Sequence, residues 1–532
     1  MHLFYRMKIN ITHGYACMEN KMEGCNMEIE QVNRLITKLK DCTSHLETYQ
    51  HGKKIVVPFK NMQAGILEVL TFFTSKNIRQ GDKVGIIGTN TLEWVIIDLA
   101  CIAAGIVTVP FDPAVGYQAD ELLAEFDLPL LLSNIETYQN NKRIYSFEFV
   151  CHQQEVKKNA VITPVQYSPD DVLTYKFTSG STQRAKVIGA MKQSADAAIT
   201  FVQQILQHDR NDTVMVFLPL HTYQQRYWIY SAILFDFNIL LVPKEYVFHS
   251  IQADKPTVIM GVPFFFETIM KNFLAEMEDE APGDKAMIKA AFQQQLGGKI
   301  RYLWTGSAPL GPDTLSFYER MEMPLYQGYG MNEICIVSKN YPGNNKTGSV
   351  GKLLPGKEVK FDERNQLLVK SRYPVNNAYY RAMPEDNEAT FLKDGYVATG
   401  DLGYLDDEGY LFITGRIKEL IVLANAIKIH PAPVEKKIET SPVIKHCLVY
   451  GDGHPYLVAL IVPESFSTDD ADIKKEITRI NEMMKPQERV CNIFITRTVF
   501  SAEGNHLSAQ NKILRGNIIR DYSNELERLY TT

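Results

Sequence analysis

Residues 83–111 read KVGIIGTNTLEWVIIDLACIAAGIVTVPF. Lys83 to Gly88 is an apolar run of strand length, Thr91 to Ala104 carries helical periodicity, and Ile106 to Val109 is again strand-like. A strand, a helix and a second strand in so short a span form the repeating unit of an α/β architecture. The apolar stretch from Trp94 to Phe111 is broken by Asp98, Gly105 and Pro110, which marks a buried helix feeding a buried strand rather than a membrane span.

The alternation begins near Lys54 and continues for some 250 residues. Strands are predicted at Pro129–Ser133, Val172–Tyr175, Thr213–Leu218, Thr257–Met260 and Ile300–Trp304, with an amphipathic helix over Phe264–Met277. Between Lys346 and Tyr410 the texture changes to short alternating runs separated by Gly, Asp and Asn turns, such as Leu367–Lys370, with Tyr410–Thr414 following. This predicts a small antiparallel subdomain. Upstream, residues 1–50 offer a helix over Met27–Lys40 and form an extension whose role the sequence leaves open.

The 532 residues are 45 % hydrophobic, 22 % charged and 11 % aromatic, the balance of a folded chain rather than a disordered one. Fifty-six basic against 62 acidic residues give a net charge of -6, so no overall positive field exists to hold a nucleic acid. Beyond Arg416 the charges balance, and the whole excess lies upstream. The eight cysteines are scattered without a Cys-x-x-Cys pair, which predicts neither a disulfide framework nor a zinc ribbon and fits a reducing cytoplasm. Met1–Gly24 mixes charges without an apolar run of signal-peptide length.

Common catalytic signatures are missing: no Gly-x-x-x-x-Gly-Lys-Ser/Thr loop, no Gly-x-Ser-x-Gly elbow and no His-Glu-x-x-His pair. What stands instead is FTSGSTQRAK at 177–186, directly after a predicted strand. Small hydroxyl residues around a glycine expose backbone N–H and side-chain O–H donors together, which suits a polyphosphate; the alternative is an ordinary Ser/Thr-rich turn. Further segments follow in order: TGSAP at 305–309, QGYGMNE at 327–333, ATGD at 398–401, TGRIKELI at 414–421 and LSAQNKILR at 507–515.

This ordered set resembles the superfamily of adenylate-forming enzymes, which includes acyl-CoA synthetases, firefly luciferase and the adenylation domains of peptide synthetases. The likeness runs from about residue 50 to 520. FLPL at 217–220, GVP at 261–263 and IHPAP at 429–433 look most like the long-chain fatty acyl branch. The resemblance implies an α/β fold with a large domain over residues 51–416, built of two sheets and a small β-barrel subdomain. A mobile α+β cap over residues 417–532 completes it, turning about Lys418.

It also implies a reaction in which ATP activates a carboxylic acid of the fatty class to acyl-AMP with release of pyrophosphate, followed by transfer to the thiol of CoA. Residues are carried over by matching motifs. Thr178, Ser179, Gly180, Ser181, Thr182 and Lys186 would hold the β- and γ-phosphates, and Glu333 with Thr182 would hold magnesium. Tyr329 would stack on adenine beside Gly306, Ser307 and Ala308, Asp401 would accept the ribose hydroxyls with Arg416 close by, and Lys512 would bridge carboxylate and α-phosphate. His221, Tyr223 and Trp228 are candidates for the acyl pocket.

Several positions depart from the family pattern. Gln183, Ala185 and Val187 stand where relatives carry glycine, proline and glycine, Asn332 replaces a threonine, and Asn425-Ala426 replaces a glycine pair that lines the pantetheine tunnel. Two alternatives follow from these departures: an acyl-AMP ligase that loads the phosphopantetheine arm of an acyl carrier protein, and a non-catalytic adenylate-binding relative.

Overall fold

The computed structural model of the protein describes residues 29–116, 118–138, 141–156, 160–178, 186–278, 284–501, 504, 506–507 and 513–531. Two sheets dominate. The six-stranded sheet runs in the order Ile144–Ser146, Leu131–Ser133, Lys83–Ile87, Val107–Phe111, Val172–Phe177 and Val187–Met191, parallel except for the last strand. The nine-stranded sheet runs Lys352–Leu353, Cys335–Lys339, Leu325–Met331, Tyr302–Thr305, Val258–Gly261, Thr213–Val216, Asn238–Leu241, His45–Gln50 and Lys53–Pro58. Its middle is parallel and each edge turns antiparallel.

The strand–helix–strand unit forms as the sequence predicts. The helix spans Leu92–Ala104, Thr91 caps it by accepting from the Trp94 N–H, and Gly105 ends it in the left-handed conformation. Nearly every residue of this helix is buried, because it lies between the two sheets. Val84 and Ile86 of one sheet and Val214 and Ile239 of the other share a single hydrophobic core with it.

A polar seam crosses that core. Asp98, in the middle of the helix, receives a hydrogen bond from Arg226 Nη1 at 2.8 Å and from the Tyr230 hydroxyl at 2.5 Å, both from the helix Tyr223–Phe235. Arg226 also donates to the hydroxyls of Thr108 and Thr174, on neighbouring strands of the six-stranded sheet. Both Asp98 oxygens and both terminal nitrogens of Arg226 are met, although Arg226 Nε has no partner among the described residues, and these bonds tie helix to sheet.

Residues 31–50, which carry no legible role in the sequence, contribute the helix Gln31–Lys38 and the strand His45–Gln50, whose Leu46 pairs with Ile239. The helix is shorter than expected, giving way to a 3₁₀ turn at Leu39–Asp41. Between Lys357 and Arg416 lies a four-stranded antiparallel meander, Lys357–Phe361, Gln366–Ser371, Val397–Leu405 and Leu411–Arg416. Beyond it, the strands Ile444–Tyr450, Leu457–Pro463 and Val490–Ile495 form a small mixed sheet with cores on both faces. Two ion pairs reach from this unit to the helix Pro263–Glu278, Lys436 to Glu267 and Lys271 to Glu464, each at 3.5 Å. Among the described residues no helix is long and apolar enough to cross a membrane.

Candidate active site

The strand Val172–Phe177 delivers Thr178 to its end, and the Thr178 N–H donates to the Lys186 carbonyl at 2.8 Å. The two ends of the hydroxyl-rich segment are thereby tied together. Ser179, Gly180, Ser181 and Thr182, with Gln183 and Ala185, lie outside the described residues, as does Lys512.

Against this strand end sits the turn after Leu325–Met331. Asn332 Nδ2 donates to the Phe177 carbonyl at 2.9 Å, and the buried Lys176 ammonium donates to the Asn332 carbonyl. Asn332, in place of a threonine, still offers a side-chain hydrogen bond here. Gly330 is obligatory here: a Cβ would come within 2.5 Å of the Cys335 carbonyl oxygen, because the chain doubles back into Cys335–Lys339. This tight return holds Glu333, 6 % exposed, beside the strand Val172–Phe177.

Glu333 accepts from the Tyr379 hydroxyl at 2.8 Å, and the Tyr379 ring carries the Lys186 ammonium 4.9 Å from its centroid. Lys186 also pairs with the half-exposed Asp386 at 2.8 Å. Burial and the Glu333 carboxylate push the Tyr379 phenol above its ordinary value, so it stays a donor at neutral pH. Among the described residues no basic side chain forms an ion pair with Glu333. A carboxylate oriented by one hydroxyl, with the Lys176 ammonium nearby but not paired to it, is a suitable oxygen donor for magnesium, whose preferred ligands are hard oxygens.

A second cluster lies on the meander. Asp401 and Arg416 face each other across paired strands, with Arg416 Nε 2.9 Å from Asp401 Oδ1. Tyr329 donates its hydroxyl to Asp401 Oδ2 at 2.5 Å. Burial raises the Tyr329 phenol well above its ordinary value and the Asp401 carboxylate adds to this, fixing it as a donor. Thr305 pairs with Gln327 in the parallel sheet, so Gly306, Ser307 and Ala308 leave the strand alongside Gly328 and Tyr329. Ser307 adopts the left-handed conformation, φ 72°.

His221 precedes the helix Tyr223–Phe235. Its Nε2 lies 3.8 Å from Asp112, and burial holds the imidazole below its ordinary value. Tyr223 is buried under the Arg226 guanidinium, 4.2 Å from its ring centroid, and Trp228 is buried one turn further. His221 Nδ1, the Tyr223 hydroxyl and Trp228 Nε1 have no hydrogen-bond partner among the described residues. Lys418 is exposed in a 3₁₀ turn two residues after Arg416.

Tyr379 and Asp386 belong to the same cluster, although nothing in their sequence context marks them. Glu435 is a further residue without a sequence signal: it grips Arg515 through both guanidinium nitrogens at 2.5 and 2.6 Å, and burial raises its carboxyl to about 7. With the bridge between Leu507 and Ile513, this contact anchors both flanks of residues 508–512.

Comparison with known proteins places the chain. A family model described as AMP-binding enzyme matches residues 59–371, and one described as AMP-binding enzyme C-terminal domain matches 418–532. The long-chain-fatty-acid--CoA ligase FadD15 of Mycobacterium tuberculosis is 25 % identical over 86 % of this chain and 89 % of its own length. Fatty acyl-CoA synthetase B of Dictyostelium discoideum is 23 % identical over 85 % and 82 %. The crystal structure of ATP-bound MatB from Rhodopseudomonas palustris superposes with a TM-score of 0.76 at 19 % identity, covering 94 % of this chain and all of that one, a likeness of fold. The first family model alone spans more than half of the residues, and the chain belongs to the AMP-binding enzyme family.

Proposed function

We propose that the protein uses ATP to activate a carboxylic acid of the fatty class and passes the acyl group to the thiol of CoA. The observation that carries this reading is the Asp401 carboxylate, held at one oxygen by Arg416 and at the other by Tyr329. An ionised carboxylate offers about four acceptor positions, so two remain for the vicinal hydroxyls of a ribose. Tyr329, fixed through its hydroxyl, presents its ring to the adenine beside Gly306, Ser307 and Ala308.

In the first step a carboxylate oxygen attacks the α-phosphorus of ATP and pyrophosphate leaves, giving the acyl-adenylate. Two anions must meet, so the site supplies positive charge and placement. Lys186, with Thr178, Ser179, Gly180, Ser181 and Thr182, takes the β- and γ-phosphates. Its present partner Asp386 is half-exposed, and a pair of that kind exchanges at a cost of roughly 0–1 kcal/mol. Glu333 and Thr182 would hold magnesium, which would supply positive charge to the same phosphates. Lys512 bridges the attacking carboxylate and the α-phosphate.

In the second step the thiol attacks the acyl carbonyl and AMP leaves, with residues 417–532 turning about Lys418. The exposed ion pair Lys271–Glu464 is of the weak, screened type that such a movement breaks readily, while Lys436–Glu267 is more buried and would be exchanged for new partners. The acyl chain lies beside the helix Tyr223–Phe235, with His221, Tyr223 and Trp228 along it. A reducing cytoplasm belongs to the same reading, supported by the six free cysteines among the described residues.

A second acceptor is favoured by one observation. Ala426 occupies the left-handed region, φ 65°, in a turn where Asn425 accepts from the Ile427 N–H. By the family resemblance this turn lines the pantetheine tunnel, and side chains there in place of a glycine pair fit an acyl carrier protein as the acceptor in place of free CoA.

Pyrophosphate release with ATP, magnesium and a ladder of carboxylic acids, without thiol, tests the activation step. Acid-dependent release is expected. ATP binding without release for any acid would identify a non-catalytic adenylate-binding protein instead. Adding CoA or a loaded carrier protein side by side then assigns the acceptor.

A further inference from the structure

Lys339 ends the strand Cys335–Lys339 as the cross-strand partner of Gly328, next to Tyr329. It is fully buried, and its Nζ has no hydrogen-bond partner among the described residues. Two indoles flank it, with Nζ 4.4 Å from the Trp304 ring centroid and 5.4 Å from that of Trp228. The Nε1 atoms of both tryptophans are also buried without a partner. Three groups that can donate are buried in this cluster without a partner among the described residues, as is Nδ1 of the neighbouring His208, where a folded interior ordinarily pairs every polar atom.

The indole faces attract a cation, yet that contact leaves both indole N–H groups unpaired, so it accounts for only part of the arrangement. Burial pulls the Lys339 ammonium well below its ordinary value, and no carboxylate offsets this. A neighbour, His208, is pushed down to about 3 by burial and by the charges of Arg301 and Lys339, so it supplies no anion either. Among the described residues no carboxylate meets these donors, and an anionic group from outside the chain would satisfy them.

The position indicates what that group is attached to. A Cβ on Gly328 would sit 3.0 Å from Trp304 Cζ2, and one on Gly306 would sit 3.2 Å from Trp304 Cη2, so the indole lies on the backbone that leads to Tyr329 and Ser307. Trp228 stands on the second turn of the helix that Tyr223 opens, just after His221. On the acyl-activation reading, a chain that starts beside Tyr329 and runs along this helix would reach Lys339.

Resting on the acyl-activation reading above, we propose that Lys339, Trp228 and Trp304 form a subsite for an anionic group at the far end of the substrate. The acid activated is then a dicarboxylic acid: one carboxylate attacks ATP, and the other accepts from Lys339 Nζ and the two indole N–H groups. A carboxylate has the acceptor capacity to meet all three donors and restores a charge partner to the lysine. A plain alkyl chain would meet none of them.

The test is kcat/KM for acid-dependent pyrophosphate release with matched monocarboxylic and α,ω-dicarboxylic acids across a ladder of chain lengths. The wild-type protein is expected to favour the diacid of at least one length by about tenfold or more, which corresponds to about 1.4 kcal/mol. In Lys339→Met that ratio is expected to fall to about one. Monoacids taken as well as or better than diacids at every length would overturn the subsite and leave acyl activation standing, as would a diacid preference that survives Lys339→Met. Release with no acid at all would overturn acyl activation itself, and the subsite with it. Should Lys339→Met fail to fold, the wild-type ratio decides alone.

Discussion

The Tyr329 hydroxyl and the Asp401 carboxylate are bound to each other at 2.5 Å, joining the strand Leu325–Met331 to the strand Val397–Leu405. The ring that would meet adenine and the carboxylate that would meet ribose are therefore set by one contact. Tyr329→Phe keeps the ring and removes the contact. A hydrogen bond to a charged group contributes roughly 1.5–3 kcal/mol, so ATP affinity measured by calorimetry is expected to fall by about 10- to 100-fold. Unchanged affinity would show that the pair does not order the nucleotide site.

Arg515 is clamped by Glu435 a few residues after Lys512, and Leu507 pairs with Ile513 on the other flank. A lysine that acts on a developing charge need not hold the nucleotide. Lys512→Ala is expected to slow pyrophosphate release by about 10²- to 10³-fold while ATP affinity stays within about twofold. Normal turnover would remove Lys512 from the chemistry.

The buried pair Asp98–Arg226 makes a prediction about stability. Arg226→Met strands the Asp98 carboxylate in the core and is expected to destabilise the protein by about 3–5 kcal/mol, read as a drop in Tm of several degrees. The double variant Asp98→Leu/Arg226→Met removes both charges and is expected to recover most of that loss. A double variant no more stable than the single one would show that Arg226 matters through its contacts with Thr108 and Thr174 instead.

His208 is 3 % exposed, bonded through Nε2 to the Tyr302 hydroxyl, and held down to about 3 by burial. An unfolded chain takes up a proton at a histidine near pH 6.5, before this folded one does. Its contribution to stability is thus complete above about pH 6.5 and is lost as pH falls toward 3, with a slope of up to about 1.4 kcal/mol per pH unit. Thermal denaturation between pH 7 and 4 is expected to show a shallower fall for His208→Gln than for the wild type. Identical slopes would place the acid sensitivity elsewhere.

The elements that could be read from the sequence are those specified locally. Leu92–Ala104 announces itself by periodicity, by Thr91 before it and Gly105 after it, and all three do what their chemistry suggests. The string around Tyr329 and the Gly-Asp turn at Asp401 were equally legible, because backbone demands such as that at Gly330 leave few choices of residue. Partners distant along the chain were not. His45–Gln50 resembles any short exposed strand until Leu46 meets Ile239, and Tyr379 is an unremarked aromatic until Glu333 accepts from it. Lys339 is the extreme case: a lysine at a strand end reads as a surface residue, and only the arrival of Trp228 and Trp304 turns it into a buried one.

The pairing of Leu46 with Ile239 also sets an order of assembly. During synthesis the strand His45–Gln50 leaves the ribosome long before Asn238–Leu241, which is made roughly 190 residues later. At about 5–20 residues per second this is a wait of roughly 10–40 s. Through that interval the hairpin His45–Pro58 has one edge unmet, while Lys83–Ile87 and its neighbours can already close on one another. The nascent chain is therefore expected to call on a chaperone at this hairpin and to release it once residue 241 has emerged.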